Sequence, residues 1–354
     1  MAELVWKNKF SSTKLYTEAN PPADPDSASP PAHFFTQAYH VPSLESPTPN
    51  PTSTVWHNRL ISGDNHTTLP LLHAEFLAQV KLIYIDPPFM TGRTFTHGEN
   101  IAYKDTWRNS LDTYLQWLYD ILNNLYQLLA PDGCLYIHLD WRVTHYVKVM
   151  LDEIFGFYPL TNGPGFKNEI IWHYQSGGRA NKRFARKHDT LLFYTKSAQY
   201  SFHSERISQK RGSHKRNHMR KEVGADGTIT WSIRSAGRLY TYHEDTLMSH
   251  SDVWSDISHL HQKDPERTGY ATQKPQALLE RIVLASSDVD DLVLDCFCGS
   301  GVMPVVAEQL SRRWVACDKS DVAIAITQQR LLANEIHSPF VLQHLVPSQQ
   351  NEKY

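Results

Sequence analysis

The sequence is poor in cysteine and has no long apolar run, and each shortage excludes a class of protein. The cysteines in these 354 residues are too few for a disulfide scaffold and lack the paired CxxC spacing of a zinc site: Cys134, Cys296, Cys298 and Cys317. No apolar run approaches the length that crosses a bilayer, and the amino terminus does not begin a signal peptide. The 19 histidines show no metalloprotease-type spacing. We therefore expect a cytoplasmic protein with no membrane contact and no metal.

The net charge of −2 also lacks the excess of one sign that would mark the whole chain as a binder of polyanions. Between Arg179 and Lys221, however, 13 lysines and arginines stand against two acids, and aromatic residues are interleaved with them. Such a segment suits contact with phosphates and bases, although a solvated basic face is the common alternative. The candidate nucleic-acid contacts are Arg179, Lys182, Arg183, Arg186, Lys187, Lys210, Arg211, Lys215 and Arg216.

An apolar run ends at Ile85 and leads directly into Asp86-Pro87-Pro88-Phe89. The run predicts a buried parallel strand, and the prolines end it because each one fixes φ and removes a backbone donor. Open α/β sheets bind ligands at the carboxyl ends of their strands, where this loop would lie. Asp86 and the Pro87 carbonyl can accept hydrogen bonds from an amino group, and Phe89 can stack on a planar base. The alternative is a proline-stopped strand followed by a core phenylalanine.

A second strand–loop–strand pattern lies nearer the carboxyl terminus. A strand ending at Asp295 is followed by Phe297-Cys298-Gly299-Ser300-Gly301, and the next strand ends in Asp318, seventeen residues after the last glycine. Glycines allow the backbone to approach a ligand closely, and an acid at the end of the next strand can bind ribose hydroxyls. The pattern is typical of a nucleoside site in a Rossmann-like sheet. The short loop lacks the GxGxxG of a dinucleotide site, which disfavours pyrophosphate binding.

Strands and helices alternate on both sides of the basic segment, which predicts an α/β fold with a mostly parallel sheet and helices on both faces. We expect helices over Ser110–Leu129 and Val143–Phe155, a turn at residues 131–133 and a loop over Met90–Thr106. The predicted regions are a proline-rich arm (1–54), the first part of an α/β domain (55–162), an inserted region (163–262), the second part of the α/β domain (263–340) and a tail (341–354).

Taken together, these segments resemble the β-class amino-methyltransferases of DNA, enzymes of the restriction–modification type. The loop Asp86–Phe89 (the base loop) precedes the loop Phe297–Gly301 (the glycine loop), as in that family. The resemblance implies that residues 55–162 and 263–340 form the catalytic domain and that the variable region between them, 163–262, is the target-recognition insert. Further matching segments are Tyr270-Ala271-Thr272-Gln273-Lys274-Pro275, Leu278–Ile282 and Arg312-Arg313-Trp314. The resemblance implies a Rossmann-like methyltransferase fold that transfers a methyl group from S-adenosylmethionine to the N6 amino group of an adenine flipped out of double-stranded DNA. Asp-Pro-Pro-aromatic is typical of adenine-modifying members, whereas cytosine-modifying members usually begin with serine.

The resemblance also implies a role for each matching residue. Asp318 would bind the ribose, Asp64 would approach the cofactor adenine, and residues 272–274 would lie near the methionine end of the cofactor. The implied cofactor residues are Asp64, Thr272, Gln273, Lys274, Asp295, Phe297, Cys298, Gly299, Ser300, Gly301 and Asp318. The implied catalytic residues, which would hold the flipped base, are Asp86, Pro87, Pro88 and Phe89. This sequence departs from the family pattern at Phe89, where tyrosine is commoner, and at Cys296, where proline is usual.

Three alternatives stay open at this point. One is methyl transfer to N4 of cytosine, because some members blur the distinction between aspartate and serine. Another is a DNA-binding relative without catalysis, which the intact Asp86 and glycine loop disfavour. The third is a nicotinamide dehydrogenase, which the short glycine loop disfavours. Double-stranded DNA is the expected partner, and a homodimer and a cognate restriction endonuclease are further candidates.

Overall fold

The computed structural model describes residues 4–6, 9, 34–39, 56–107, 110–157, 163–175, 180–211, 218–334 and 338–345. The strands in this part of the chain are β1 (Phe34–Tyr39), β2 (Asn58–Ser62), β3 (Val80–Ile85), β4 (Arg93–His97), β5 (Asn100–Asp105), β6 (Leu129–Leu139), β7 (Gly165–His173), β8 (His188–Thr195), β9 (Gln209–Lys210), β10 (Arg220–Val223), β11 (Ile229–Ser235), β12 (Arg238–His243), β13 (Leu247–Met248), β14 (Val253–Trp254), β15 (Leu292–Asp295), β16 (Arg313–Asp318) and β17 (Phe340–Leu345). Ten of them form one sheet in the order β1-β17-β2-β16-β15-β3-β6-β8-β7-β14.

The centre of this sheet is parallel, from β17 through β2, β16, β15 and β3 to β6. Among the described strands of this sheet, β1 pairs antiparallel with β17, and β8 pairs antiparallel with β6 and β7; the other pairs are parallel. The carboxyl ends of β2, β3, β6, β15 and β16 therefore meet along one side of the sheet, which we call the carboxyl edge. Parallel sheets of this kind bind ligands there.

Six helices of the described residues pack on both faces of the sheet: α1 (Asn65–Phe76), α2 (Leu111–Leu128), α3 (Thr144–Phe155), α4 (Gln276–Ser286), α5 (Val302–Gln309) and α6 (Asp321–Ala333). The apolar sides of α1, α2 and α3 join one large core cluster, and those of α4, α5 and α6 join a second on the opposite face. This arrangement confirms the predicted α/β fold. Within the same residues, no helix has the length and apolarity to cross a bilayer.

The two helices predicted by periodicity form within one residue of the expected bounds. Ser110 precedes α2, and its Oγ accepts a hydrogen bond from Thr113 N at 3.2 Å, so it caps the helix instead of joining it. Leu115, Leu118, Leu122 and Leu125, which recur at three- and four-residue spacing, are buried in the core cluster on this face of the sheet. Gly156, with φ +85°, ends α3 as expected, because this backbone conformation is open chiefly to glycine.

The prediction of a loop over Met90–Thr106 is wrong, because β4 and β5 form an antiparallel hairpin there. The segment is polar, which suggested a loop, yet Phe95 and Tyr103 face each other across the hairpin with ring centroids 4.6 Å apart. Gly98, with φ +58°, forms the turn. A cross-strand aromatic pair of this kind stabilises a hairpin, although it lies outside the main sheet.

The predicted turn at residues 131–133 also differs from the structure. It lies inside β6, whose pairing with β3 shifts from Val80↔Leu129 to Leu82↔Cys134. The proline and glycine therefore form a bulge in a continuous strand.

The predicted regions are less separate than their boundaries imply. β7, β8 and β14 fall in the predicted recognition insert, yet they extend the catalytic sheet beyond β6, so the part of the insert outside the sheet lies between Thr195 and Val253. β1 belongs to the predicted arm and pairs with β17, which crosses the predicted start of the tail. Trp6 is also buried, and its Nε1 donates to Gln116 Oε1 of α2 at 3.0 Å.

Candidate active site

A cavity of about 310 Å³ opens at the carboxyl edge, and both loops singled out in the sequence line it. Every predicted base and cofactor residue except Gly301 contributes to its wall. The individual roles of these residues stay predictions, but the structure brings the residues together although they lie far apart in the chain. The base loop follows β3, the glycine loop follows β15, and these two strands are neighbours in the sheet.

Two glycines shape the loop after β15. Gly301 has φ +73° and precedes α5, and a Cβ atom there would lie 2.7 Å from Thr327 Cγ2. Gly299 has φ +50°, and a Cβ atom there would lie 3.2 Å from the Tyr270 ring. Side chains of L-residues rarely adopt this backbone conformation, and the space beside both residues is occupied. Gly301 therefore supports the loop from behind, whereas Gly299 faces the cavity.

The Asp318 carboxylate holds the glycine loop from the neighbouring strand. Its Oδ2 accepts a hydrogen bond from Gly299 N at 3.0 Å, and its Oδ1 accepts one from Ser320 N at 2.9 Å. Burial raises the pKa of Asp318, and the two N–H donors oppose this rise. Because Asp318 also lines the cavity, one side chain orients the loop and presents an acceptor to a ligand.

Asp295 is a second buried carboxylate in the same wall. It is 4% exposed, and its Oδ1 accepts a hydrogen bond from Phe297 N at 2.9 Å. Burial raises the pKa of Asp295 well above its usual range, the Phe297 N–H lowers it, and the charges of Asp86 and Asp318 raise it further. A buried carboxyl group whose pKa is shifted this strongly is typical of a binding site.

We expect Asp295→Asn to stabilise the cofactor-free protein at alkaline pH. The folded protein binds the Asp295 proton more tightly than the unfolded chain does, so the free energy of unfolding falls as pH rises between the two pKa values. Asparagine keeps an acceptor for Phe297 N but cannot ionise. Thermal denaturation should show a melting temperature about 2–4 °C above wild type at alkaline pH. The difference should shrink in acid, and an equal difference at every pH would contradict the assignment.

Asn65 is a site residue that the sequence analysis missed, although it adjoins Asp64. Asp64 caps α1 by accepting from His66 N at 3.0 Å, and its carboxylate lies 3.9 Å from Lys319 Nζ. The Asn65 amide nitrogen donates to Cys296 O at 2.7 Å, which turns the amide oxygen away from that carbonyl. That oxygen is buried without a protein partner, and the residue lines the cavity. A ligand amino or hydroxyl group would satisfy it.

The base loop carries an ion pair that links it to the segment before α4. Lys274 Nζ donates to Asp86 Oδ2 at 2.5 Å and lies 5.1 Å from the centroid of the Phe89 ring. Lys274 is 8% exposed, so its ammonium group lies in a largely desolvated position. We expected Lys274 beside the methionine end of the cofactor, but its direct contact is the proposed catalytic carboxylate. The second oxygen of Asp86 remains for another donor.

The two residues before Lys274 serve mainly to shape the cavity wall. Gln273 Oε1 accepts from Thr268 N at 2.9 Å, and its Nε2 donates to Glu266 O at 2.8 Å, so its amide is used within its own loop. The Thr272 hydroxyl lies 3.2 Å from Tyr103 Oη of β5. The β4–β5 hairpin is thereby tied across the cavity to the segment before α4.

A buried histidine that the sequence analysis did not single out supports the base loop. His138, on β6, is fully buried; its Nδ1 is 3.1 Å from Tyr84 Oη and its Nε2 is 3.1 Å from Asp189 Oδ2. Asp189 also accepts from Tyr174 Oη at 2.9 Å. Burial favours a higher pKa for Asp189, but the hydrogen bond and charge of His138, together with the charge of Lys274 and the hydrogen bond from Tyr174, outweigh it and lower the pKa. The Phe89 ring stacks on His138 at 6.1 Å and 19°.

Asp105 anchors the other end of the base loop. Although it is fully buried, it accepts from Met90 N at 2.9 Å, Thr91 N at 2.8 Å and Trp107 Nε1 at 2.7 Å. The loop is therefore fixed at Phe89 by His138 and immediately after it by the hairpin.

The four cysteines are free and buried, and burial raises the pKa of each thiol, which makes them poor nucleophiles.

The predicted DNA contacts separate into groups. Arg179, Lys215 and Arg216 lie outside the described residues. Lys210 is exposed and forms an ion pair with Asp245 at 2.8 Å. Arg211 is 5% exposed and packs over the Trp231 ring at 4.6 Å, so the prediction that it grips phosphate is corrected: its side chain belongs to the interior. The remaining four lie just before β8, at the carboxyl edge: Lys182, Arg183, Arg186 and Lys187.

Comparison with known families gives one match that spans most of the chain. The pattern described as "DNA methylase", which covers N6 and N4 enzymes, matches residues 80–329. This interval contains the base loop, the glycine loop and Asp318.

The individual proteins that resemble this chain share less than a third of its residues at aligned positions. The type II methyltransferase M.HpaI of Haemophilus parainfluenzae is 29% identical over 255 residues, which cover 71% of this chain and 68% of that protein. The DNA adenine methyltransferase YhdJ of Escherichia coli K12 is 25% identical over 274 residues, which cover 77% and 82% of the two chains. The crystal structure of TTHA0409, a putative DNA modification methylase from Thermus thermophilus complexed with S-adenosyl-L-methionine, superposes with a TM-score of 0.50 at 19% identity. The match covers 82% of this chain and 98% of that one, and it shows a shared fold.

Proposed function

We propose, since the chain belongs to the DNA methylase family, that it transfers a methyl group from S-adenosylmethionine to N6 of adenine in double-stranded DNA. One observation carries the proposal: the glycine loop and the Asp-Pro-Pro-Phe loop line a single cavity. A donor and an acceptor bound in that cavity would be adjacent, and holding two reactants in line is the main source of rate in such a transfer.

The cavity residues fit the proposed cofactor. Five aspartates and three lysines line the cavity, so carboxyl groups outnumber cationic groups in its wall. S-adenosylmethionine, when bound, supplies a methyl group on a positively charged sulfur. The unpartnered Asn65 oxygen and Asp64 offer acceptors to amino or hydroxyl groups, and Asp318 offers one to the ribose. Gly299 lets the backbone approach the cofactor closely.

Asp86 is the residue that we assign to the target amine. Lys274 occupies one of its oxygens, which leaves the other to accept a hydrogen bond from an exocyclic amino group. The amine is a poor nucleophile because its lone pair is delocalised into the ring. Hydrogen bonds to Asp86 and the Pro87 carbonyl would favour a pyramidal nitrogen with an available lone pair. One face of Phe89 lies against His138, so the other face would stack on the base.

Adenine is favoured over cytosine as the target. The Asp-Pro-Pro-aromatic loop is typical of adenine-modifying enzymes, and the relative YhdJ is named as an adenine methyltransferase. The family pattern covers N4 enzymes as well, so N4 methylation of cytosine is the second candidate. We place target recognition within residues 163–262, chiefly after Thr195. A cytoplasmic location, a homodimer and a cognate restriction endonuclease belong to the same proposal.

Replacing Arg183, Arg186 and Lys187 with glutamate should weaken binding to all duplex DNA. These cations lie at the carboxyl edge, beside the proposed base pocket. Each phosphate contact contributes roughly −0.9 to the log–log salt slope, so losing all three should flatten the slope by up to about 2.7. Titration of labelled duplex over a salt series measures both quantities.

A matched control reverses Lys81 and Arg313 instead, at the amino ends of β3 and β16 on the opposite side of the sheet. This control should bind DNA like wild type, and all variants should bind the cofactor. If the triple variant keeps its affinity and salt slope, the cluster is a solvated face, and the DNA groove lies nearer the β4–β5 hairpin.

Sequencing that detects modified bases tests the proposed function in cells. DNA from cells expressing the protein should carry methylated adenine within one recurring sequence, and DNA from cells expressing Asp86→Ala should not. Unmodified DNA from cells with soluble, folded wild-type protein would oppose the proposal.

A further inference from the structure

Phe184 is 97% exposed, more than any other large apolar side chain of the described residues. It lies in the segment 182–187, among the cations Lys182, Arg183 and Arg186. A ring with almost no protein contact adds nothing to the core, and exposing it to water is unfavourable. Packing within the fold does not explain an exposed phenylalanine at this position, so the explanation is better sought in a molecule that the segment binds.

The segment lies beside the base pocket. β3 and β6 run parallel, and β8 pairs antiparallel with β6, so the start of β8 lies at the carboxyl edge that carries Asp86. Adjacent strands are about 4.8 Å apart, which puts the start of β8 about 10 Å from the end of β3. Asp189, the second residue of β8, is hydrogen-bonded to His138 beneath Phe89. Phe184 precedes β8 by four residues, at most about 15 Å of extended chain.

A second exposed aromatic residue contacts the end of this segment that adjoins β8. Trp141 follows β6 and is 43% exposed. The Arg186 guanidinium lies 3.5 Å from the centroid of the Trp141 ring, and the Arg142 guanidinium lies 4.9 Å from it. Arg142 is held by Asp140, whereas Arg186 has no acidic partner among the described residues. A stacked guanidinium keeps its edge donors for a phosphate.

The charge of the segment selects nucleic acid as its partner. Lys182 and Arg183 also lack an acidic partner within the described residues, so three uncompensated cations flank the exposed ring in sequence. A basic groove with aromatic rings on which bases stack is the usual equipment for holding unpaired nucleotides. An apolar protein partner would not require this charge, and an acidic peptide would not require the ring.

We propose that Phe184 is a wedge that enters the duplex beside the target adenine and fills the gap left when that base is extruded. Arg186, stacked on Trp141, holds the adjacent phosphate and sets the angle at which the segment meets the DNA. This inference rests on the proposed function. Extrusion costs unstacking and unpairing, and an inserted apolar ring offsets part of that cost by stacking on the bases that remain.

Phe184→Ala should slow methylation of a paired duplex by roughly 10- to 100-fold, the loss expected for one base–aromatic stack. The substrate is a synthetic duplex carrying the sequence in which methylated adenine is found in cells. A second duplex has an abasic site opposite the target adenine, which lowers the cost of extrusion. On this duplex the variant should regain nearly the wild-type rate. A third duplex with 2-aminopurine at the target position reports extrusion as increased fluorescence, which Phe184→Ala should reduce.

Two control variants separate a wedge from a structural role. Phe157→Ala removes an exposed ring of the same kind beyond the end of α3, on the opposite side of the sheet, and should leave both rates unchanged. Phe184→Trp retains a flat ring and should stay close to wild type on the paired duplex.

Equal slowing on the paired and abasic duplexes would overturn the wedge, because the ring would then act on folding or cofactor binding. An unchanged rate on the paired duplex would overturn it as well. If the wild type methylates neither duplex while binding both, the proposed function itself fails, and the wedge fails with it.

Discussion

Methyl transfer should be abolished by Asp86→Ala, with the rate falling at least about 10³-fold, while cofactor affinity changes little. Asp86 lies at the end of β3 with one oxygen bonded to Lys274 and the other left for the target amine. The carboxylate that holds the glycine loop is Asp318, which the substitution does not touch. Single-turnover transfer of labelled methyl groups measures the rate, and calorimetry measures cofactor binding.

The loss of Asp86 leaves Lys274 buried beside Phe89 without its partner, so the variant must also be tested for stability. Asp86→Asn is the matched control, because it retains an acceptor oxygen for Lys274 and nearly the same shape. It should fold like wild type but lose most of the transfer rate, because its one oxygen is bonded to Lys274 and its amide nitrogen, a donor, faces the target amine. A loss of cofactor affinity in Asp86→Asn would contradict the division of roles between the two loops.

Cofactor binding should be lost in Gly299→Leu, with affinity falling at least about 100-fold. The backbone at Gly299 has φ +50°, and a Cβ atom would lie 3.2 Å from the Tyr270 ring, so a leucine must displace the loop or enter the cavity. The Gly299 N–H bond to Asp318 would also be strained. Calorimetric titration with S-adenosylmethionine measures the loss.

Gly227→Leu controls for backbone strain alone. Gly227 has φ +83°, but a Cβ atom there meets nothing within 4 Å, and the residue does not line the cavity. This variant should lose some thermal stability and keep its cofactor affinity. Normal cofactor binding by a folded Gly299→Leu would show that the loop is assigned to the wrong ligand.

The features that local sequence predicts are those in which local chemistry decides the structure. Asp-Pro-Pro ends a strand because of proline geometry, and the glycines predicted to allow close backbone approach, Gly299 and Gly301, have the positive φ angles that glycine tolerates. Asn65 could have been found as well, since it directly follows Asp64. The sheet explains why these residues converge, because β2, β3, β15 and β16 all end at the same edge.

The remaining site features depend on contacts between distant residues. Lys274 and Asp86 are 188 positions apart, and no local pattern indicates that they pair. His138 lies in an apolar strand, and only the tertiary structure places Asp189 and Phe89 beside it. The basic composition of the insert gave no indication that β7 and β8 belong to the sheet. Arg211 was predicted to contact DNA although it is buried, because a count of charges cannot show that a cation lies in the interior.

Nucleoside mass spectrometry of methylated DNA tests the central claim most directly, because it identifies the atom that the cavity presents to the cofactor. Unmethylated duplex DNA is incubated with the protein and S-adenosylmethionine, digested to nucleosides and compared with a reaction containing Asp86→Ala. We expect N6-methyladenine with the wild-type protein and none with the variant. N4-methylcytosine in its place would contradict the assignment of the base, and methylation that survives in Asp86→Ala would contradict the assignment of the site.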